Sequence, residues 1–423
     1  MNSNIFNFAK KIFPISRSLT GAGTLNTLKI IKKEIKSLKI LNFKSGKKVF
    51  DWEIPKVWEI KDAFIITPDN KKICNLSANN LHVVGYSQQI NKEISLQELQ
   101  NHLHSLPKQK NAVPYVTSYY KKYWGFCISQ IERDKLKNGI YKILINSKFS
   151  KGKMNYGEII LKGKSKKEIL LSTYICHPSM ANNEVSGMAV TTYLCKWLLE
   201  TQRYYTYRII FIPETIGSIA YISKNFKKLK ENVIAGYVIT CVGDERNYSF
   251  LPSRDGNTLS DKIALHVLKN QKIKYNLYKW KDRGSDERQF CSPGVDLPIA
   301  SIMRSKYGTY PEYHTSLDKL DTVVTPKGLH DSFLILKKCI ETIENNYTLE
   351  CKILCEPNLG KRNLYPTISQ KNNKKSNLLN ILSYSDNKKT LLEIADLLEM
   401  PIWKLYSDVE NLLKNKLIKK NFL

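Results

Sequence analysis

No stretch of this 423-residue chain is apolar for long enough to span a bilayer, which excludes insertion into a membrane as a helical span. The opening segment, MNSNIFNFAKKIFPISRS, lacks the apolar core and cleavage site of a signal peptide, so the expected location is the cytoplasm. Cysteine is odd in number, at nine, and scattered. That excludes a simple disulfide framework and suits a reducing compartment. Cys351 and Cys355 in CKILC have no second pair nearby, which argues against a zinc knuckle. Acids are few, 38 against 67 Lys and Arg, leaving a formal charge of +29. A basic chain suits nucleic acid or anionic surfaces. Its lysines, however, are spread along the whole length (Lys10, Lys47, Lys121, Lys227, Lys337, Lys388), the pattern of ordinary solvated faces. Charge alone therefore does not make it a DNA-binding protein. The Gly21–Gly23 segment GAG lacks the spacing and the preceding strand of a nucleotide loop.

What is present is organisation. The length exceeds one simple core and predicts two or three domains. Residues 5–40 read as helical, with Leu25, Leu28, Ile31 and Ile35 on one face. From residue 46, KKVFDWEIPKVWEIKDAFIITPDNKKICNL alternates apolar and polar residues between turn formers, which predicts short antiparallel strands. From residue 155, apolar β runs such as KEILLSTYI alternate with amphipathic helical runs such as EVSGMAVTTYLCKWLLE. That alternation predicts an α/β fold with a mostly parallel sheet flanked by helices, and sites at the carboxyl ends of its strands. The polar segment 356–376 reads as a linker. Beyond it come three helices and a short basic hairpin, the order of a winged helix-turn-helix. Thr390 and Glu393 have capping-box spacing before the second of these helices. The expected boundaries are an α/β domain over 1–45 and 120–355, an inserted β-rich domain over 46–119, the linker, and a winged helix over 377–423.

Histidine is scarce, at seven residues, yet two stand in loops that look chemical. His177 sits in STYICHPSMANNEVSGMAV, where a strand ends and a helix begins, and His314 sits in YPEYHTSLDKLDTV. Zinc sites gather neutral imidazoles and carboxylates from loops, and zinc hydrolases add a carboxylate general base. Glu184, Glu214, Asp244, Asp286, Glu287 and Asp318 supply acids in the same region. Each has a structural alternative. His177 can cap its helix, His314 can orient its turn, Glu214 can answer a helix dipole, and Asp244 can be a solvated loop acid. Asp408 and Glu410 on the third helix of the winged helix leave few base-reading side chains.

These motifs, together with PISRSLTGAGTLNTL, FIPETIGSIAY, PSRDGNTLSD, GSDERQF and CEPNLGKRNLYP, resemble a bacterial aminopeptidase-like family. It belongs to the superfamily of zinc aminopeptidases and glutaminyl cyclases and is often associated with surface-polysaccharide loci. The resemblance implies a peptidase-like α/β domain, an inserted antiparallel β domain and a C-terminal winged helix. It puts His177 and His314 at the zinc-ligand histidines and Glu214 at the general base. It also puts Asn183 at the bridging aspartate and Thr215 at a ligand glutamate, which argues against two metals because a neutral amide offsets no cationic charge. About one zinc per chain is the expectation, held by His177, His314 and a carboxylate from Asp244 or Glu184. Arg254, Asp286, Arg304 and Tyr310 are the expected substrate-binding residues. The function implied is a zinc-dependent hydrolase opening an amide of a small peptide or an acylated amino sugar. The alternative is a non-catalytic binding or regulatory protein that docks through its winged helix. Sequence-specific DNA binding is not expected; a second copy of the chain is kept as a partner.

Overall fold

Strand formation follows the apolar runs. The computed structural model of the protein describes residues 2–364 and 373–422, so residues 365–372 of the expected linker lie outside the described residues. Eight strands form one sheet: β1 Lys39–Lys44, β2 Lys153–Leu161, β3 Glu168–Tyr174, β4 Thr206–Ile212, β5 Val233–Val238, β6 Tyr248–Leu251, β7 Tyr275–Leu277 and β8 Ile299–Met303. Their order is β1-β2-β4-β3-β5-β8-β6-β7. The central four, β4-β3-β5-β8, run parallel, and antiparallel pairings flank them on both sides. Every residue of β3 and of β4 is buried, as a parallel strand covered on both faces requires. The helix Ser186–Leu198 packs on β3. A side chain at Gly187 would meet the Ile239 carbonyl at 2.3 Å, so only glycine lets this helix start so close to the sheet.

The insertion is longer than the sequence suggested. Ser45 N donates to the Gly152 carbonyl (3.0 Å) and Gly152 N to Ser45 Oγ (3.2 Å), closing the neck where β1 meets β2. Between them lies an antiparallel sheet ordered Lys72–Ile73, Val57–Ile66, Ile140–Ser150, Ile90–Ser95. The expected boundary at 119 is thus corrected, because Ile140–Ser150 pairs along the whole of Val57–Ile66. That pairing joins segments some eighty residues apart, which no local pattern displays.

The chain divides into two compact units, Met1–Ser260 with Tyr275–Phe333, and Asp261–Lys274 with Leu334–Leu423. The second contains the winged helix. Its helices are Asn373–Ser383, Leu391–Leu397 and Tyr406–Lys414, and its sheet places Tyr347–Cys351 between Asp386–Thr390 and Ile418–Phe422. The strand Tyr347–Cys351 therefore belongs here and not to the α/β domain where the sequence reading left it. The capping box forms: Thr390 Oγ1 accepts from Glu393 N (3.3 Å), and Glu393 Oε2 accepts from Thr390 N (2.9 Å). Within this unit His266 is buried, its Nδ1 on Asp396 (2.7 Å) and its Nε2 accepting from Ile402 N (3.0 Å).

Candidate active site

The carboxyl ends of β3 and β4 hold the two residues that define the site. His177 follows β3 and Glu214 follows β4. Between His177 and its helix the chain makes a single π-helical turn, Ala181–Val185, a feature that recurs at functional sites. Asp318 caps that turn by accepting from Asn182 N (2.7 Å) and Asn183 N (3.0 Å). The turn aims Glu184 back at His177. Glu184 Oε2 accepts from His177 Nδ1 (2.7 Å), His177 N (2.5 Å) and Cys176 N (2.7 Å), while Oε1 takes Arg17 Nε (2.8 Å). Arg17 also holds the Ile12 and His177 carbonyls (2.6 and 3.0 Å), and both Arg17 and Glu184 side chains are wholly buried.

The electrostatics follow from that packing. Burial opposes ionisation of Glu184, but the His177 hydrogen bond and the Arg17 charge outweigh it and hold the carboxyl below its ordinary range. Burial likewise works against a charged His177, yet the Glu184 hydrogen bond and charge, with Glu214, raise it above the usual imidazole value. With Nδ1 engaged, Nε2 faces Glu214 Oε2 across 3.7 Å. Glu214 Oε1 accepts from Ser285 Oγ (2.8 Å). Burial raises the Glu214 carboxyl against the opposing pull of His177, although its side chain keeps 21% of its exposure at the cleft mouth. Behind it Asp286 Oδ1 accepts from Thr215 N (2.7 Å), and burial with the Glu214 charge pushes Asp286 up to about 7.

These groups open into a cleft of about 390 Å3. One wall comes from the insertion, including Trp52, Tyr115 and Tyr119; Tyr115 N donates to the His314 carbonyl (2.8 Å) and ties that wall to the His314 loop. His314 has a left-handed backbone (φ 54), stacks on Tyr313 (3.9 Å) and lies 5.4 Å from His177, ring to ring. Burial lowers it to about 3, so it is neutral. Its Nε2 faces the Asn183 amide nitrogen at 3.3 Å.

A zinc ion is what the resemblance implies here, and the donors do not fit it. Among the described residues the one cluster of three such donors within reach of a single ion is Cys176, His177 and Glu184. Both Glu184 oxygens are already taken by four protein donors. Burial and the neighbouring Glu184 and Glu214 charges keep Cys176 far from a thiolate. The lone pair of His314 Nε2 is turned to an amide N–H. Asp244, expected as a ligand, instead accepts from Asn182 Nδ2 (2.9 Å), Ser305 N (2.9 Å), Ser305 Oγ (3.0 Å) and Arg246 N (2.9 Å), and so fastens loops together. Glu184, the other expected carboxylate, orients His177.

Residues 6–346 match a family described as a domain of unknown function, DUF4910, and residues 347–420 match a winged helix-turn-helix family. The chain belongs to the DUF4910 family. A protein from Clostridium acetobutylicum, named as a polysaccharide biosynthesis protein with an aminopeptidase-like domain, is 43% identical over 395 residues, covering 92% of this chain and 90% of its own. A crystal structure from Clostridium acetobutylicum, described as a peptidase, has a TM-score of 0.94 at 41% identity, covering 99% of this chain and 96% of its own. A zinc aminopeptidase from Bacillus subtilis has a TM-score of 0.61 at 12% identity, covering 81% of this chain and 94% of its own, a likeness of fold alone. The aminopeptidase-like fold and the winged helix are therefore features of this DUF4910 chain.

Of the expected substrate residues, Arg254, Arg304 and Tyr310 do not line the cleft. Arg254 is exposed and paired with Asp296. Arg304 lies over the Tyr248 ring (4.0 Å), and Tyr310 donates to Asp318 (3.1 Å). Asp286 supports the Glu214 loop. The sequence reading gave no role to Arg17, Ser285, Arg288, Tyr115 and Tyr119, although the family motifs PISRSLTGAG, GSDERQF and YVTSYYKKYWGFC contain all five.

Two outcomes follow for this DUF4910 site. Glu184→Gln removes the carboxylate that balances a buried guanidinium, so unfolding free energy measured in urea should fall by about 3–5 kcal/mol; a change below about 1 kcal/mol would contradict the geometry. Asp286 and Asp318, raised by burial to about 7 and about 6, bind protons in the folded state before the unfolded one does. Their contribution is complete below the unfolded carboxyl value and is lost as pH rises through the folded values. His177, also raised, loses its contribution in the same direction, while Glu184 is ionised in both states throughout. Stability should therefore decline between about pH 5 and pH 7, and urea midpoints that rise across this interval would be inconsistent with these burials.

Proposed function

We propose that this chain is a hydrolase of the aminopeptidase type that opens an amide in a small acylated molecule, with Glu214 carrying the proton. The observation behind this reading is Glu214 Oε2 facing His177 Nε2 across 3.7 Å in an open cleft. A carboxylate raised by burial is a stronger base than a solvated one. Glu214 takes a proton from water, and the oxygen of that water adds to the amide carbon. Negative charge grows on the carbonyl oxygen beside the His177 N–H, whose protonation Glu184 favours against the opposing Arg17 charge. The carbon–nitrogen bond then breaks, and Glu214 returns its proton to the departing nitrogen. Because the donors do not fit zinc, no step is assigned to a metal. The name of the Clostridium acetobutylicum relative favours an acylated amino sugar over a peptide N-terminus. Nine free cysteines favour a reducing, cytoplasmic setting, and no described helix is long and apolar enough to cross a membrane.

Glu214→Gln is nearly isosteric and should keep the fold while turnover of N-acyl amino sugars falls about a hundredfold or more. Purified protein should hold far less than one zinc per chain, and chelation should leave its rate unchanged. One zinc per chain whose removal abolishes turnover would refute the metal-independent mechanism. A second reading, ligand binding without turnover, is favoured by Asn183 and Thr215 standing where the resemblance puts ligand acids. Wild-type protein inert on both amino-sugar and peptide amides would favour it.

The winged helix is read as a docking module. Its third helix carries Asp408 and Glu410, and Asp408 is buried. Any DNA association should be weak and fall steeply with salt. Recovery of a defined motif in a binding-site selection at physiological salt would overturn this.

A further inference from the structure

We infer that Arg288 forms a carboxylate-binding subsite in the catalytic cleft, so that the ligand is an amide bearing a carboxylate close to the bond presented to Glu214. The inference rests on the reading of this cleft as an amide site and narrows its substrate class to an N-acyl amino acid or an acylated amino-sugar acid.

Arg288 lines the cleft together with His177, Glu214, Thr215 and His314. It stands in GSDERQF, where Ser285, Asp286 and Glu287 each hold a hydrogen bond although Asp286 Oδ2 and Glu287 Oε2 are buried without a partner. Ser285 Oγ donates to Glu214, Asp286 accepts from Thr215 N, and Glu287 Oε1 accepts from Gly284 N (2.9 Å), Ser285 N (3.0 Å) and Tyr307 OH (2.6 Å). Arg288 is the member of this run that lines the cleft and also keeps an unused donor. Its Nη2 donates to Thr215 Oγ1 (2.6 Å), while its Nε is buried and has no partner. The other guanidiniums of this unit offer a contrast. Arg17, Arg208, Arg246 and Arg254 each pair with a Glu or Asp, whereas Arg133, Arg203, Arg283, Arg288 and Arg304 form no such pair among the described residues, and of these only Arg288 lines the cleft.

A second, independent sign is the residue that holds it. Thr215 is β-branched yet adopts φ 64, a region such residues avoid. That backbone persists because its N–H is bound by Asp286 and its hydroxyl by Arg288, and strain of this kind gathers at ligand sites. The Thr215 hydroxyl in turn holds the guanidinium. A buried cationic N–H without an acceptor is unfavourable, and a carboxylate is the planar anion that matches its donor fork. Arg288 shares the cleft with Glu214 and His177, so a carboxylate close to an amide held by those two lies within the same cavity.

The test uses two small probes, N-acetylglycine, which carries a carboxylate beside its amide, and N-acetylglycinamide, which is neutral. Binding is measured by titration calorimetry in the full-length Glu214→Gln variant, where turnover does not interfere. The charged probe should bind about tenfold or more tightly than the neutral one, the scale of a charge-assisted hydrogen bond. Adding Arg288→Met, which keeps the aliphatic stem, should abolish that preference with the circular dichroism spectrum unchanged. Adding Arg288→Lys, which keeps charge without the fork, should retain only part of it. Equal binding of the two probes by the parent, or a preference that survives Arg288→Met, overturns the subsite. A carboxylate preference in protein that hydrolyses no amide keeps the subsite and removes the hydrolase reading. Hydrolysis of neutral amides without a preference does the reverse.

Discussion

The carboxylate of Glu184 is the point on which the site depends. It is wholly buried and surrounded by four donors, among them a guanidinium and an imidazole. A buried charge survives only when paired and hydrogen-bonded, so each partner is constrained by the others. Arg17 anchors the first residues of the chain to the His177 loop. The π-helical turn is what brings Glu184 round to face that loop. The His177 ring is fixed with Nδ1 inward, which leaves Nε2 as the only nitrogen that can face the cleft.

The same constraint explains the charge balance around the cleft. Where the family resemblance puts acids that neutralise metal dications, this chain has Asn183 and Thr215. Acids in those places would stand uncompensated in a buried setting without a metal. Around the cleft the basic groups Arg17, His177 and Arg288 stand among the acids Glu184, Glu214, Asp286 and Glu287. Asn183 and Thr215 serve as neutral partners, one turned to His314 and the other to Arg288. The geometry thus retains the aminopeptidase-like framework with a neutral amide and a hydroxyl in these two places.

The insertion completes the cleft physically. Its tyrosines bring large apolar faces to a site whose floor is polar and ionisable. Tyr115 and Tyr119 are joined hydroxyl to hydroxyl (3.0 Å), and burial holds both phenols neutral. Water is reduced on that side, which strengthens the electrostatic interactions between His177 and Glu214. The neck at Ser45 and Gly152 and the strand contact between Pro114 and Thr315 hold this wall at two separate points.

The sequence by itself determined the elements and their order. Apolar runs of five to seven residues became buried parallel strands, amphipathic runs became the covering helices, and Thr390 with Glu393 capped the helix its spacing marked. It also carried His177 and Glu214 to the ends of neighbouring strands, since strand termini in a parallel sheet are set by local pattern. Partner choice was decided only by tertiary structure. Nothing local says that Glu184 will face His177 rather than an ion, that Arg17 will reach it from 167 positions away, or that Asp244 will be used up by Asn182 and Ser305. The extent of the insertion was hidden for the same reason, because Ile140–Ser150 declares its sheet only by pairing with Val57–Ile66. Secondary structure follows from neighbours in the chain, whereas the role of a charged side chain follows from whichever groups share its burial, and those are chosen by the fold.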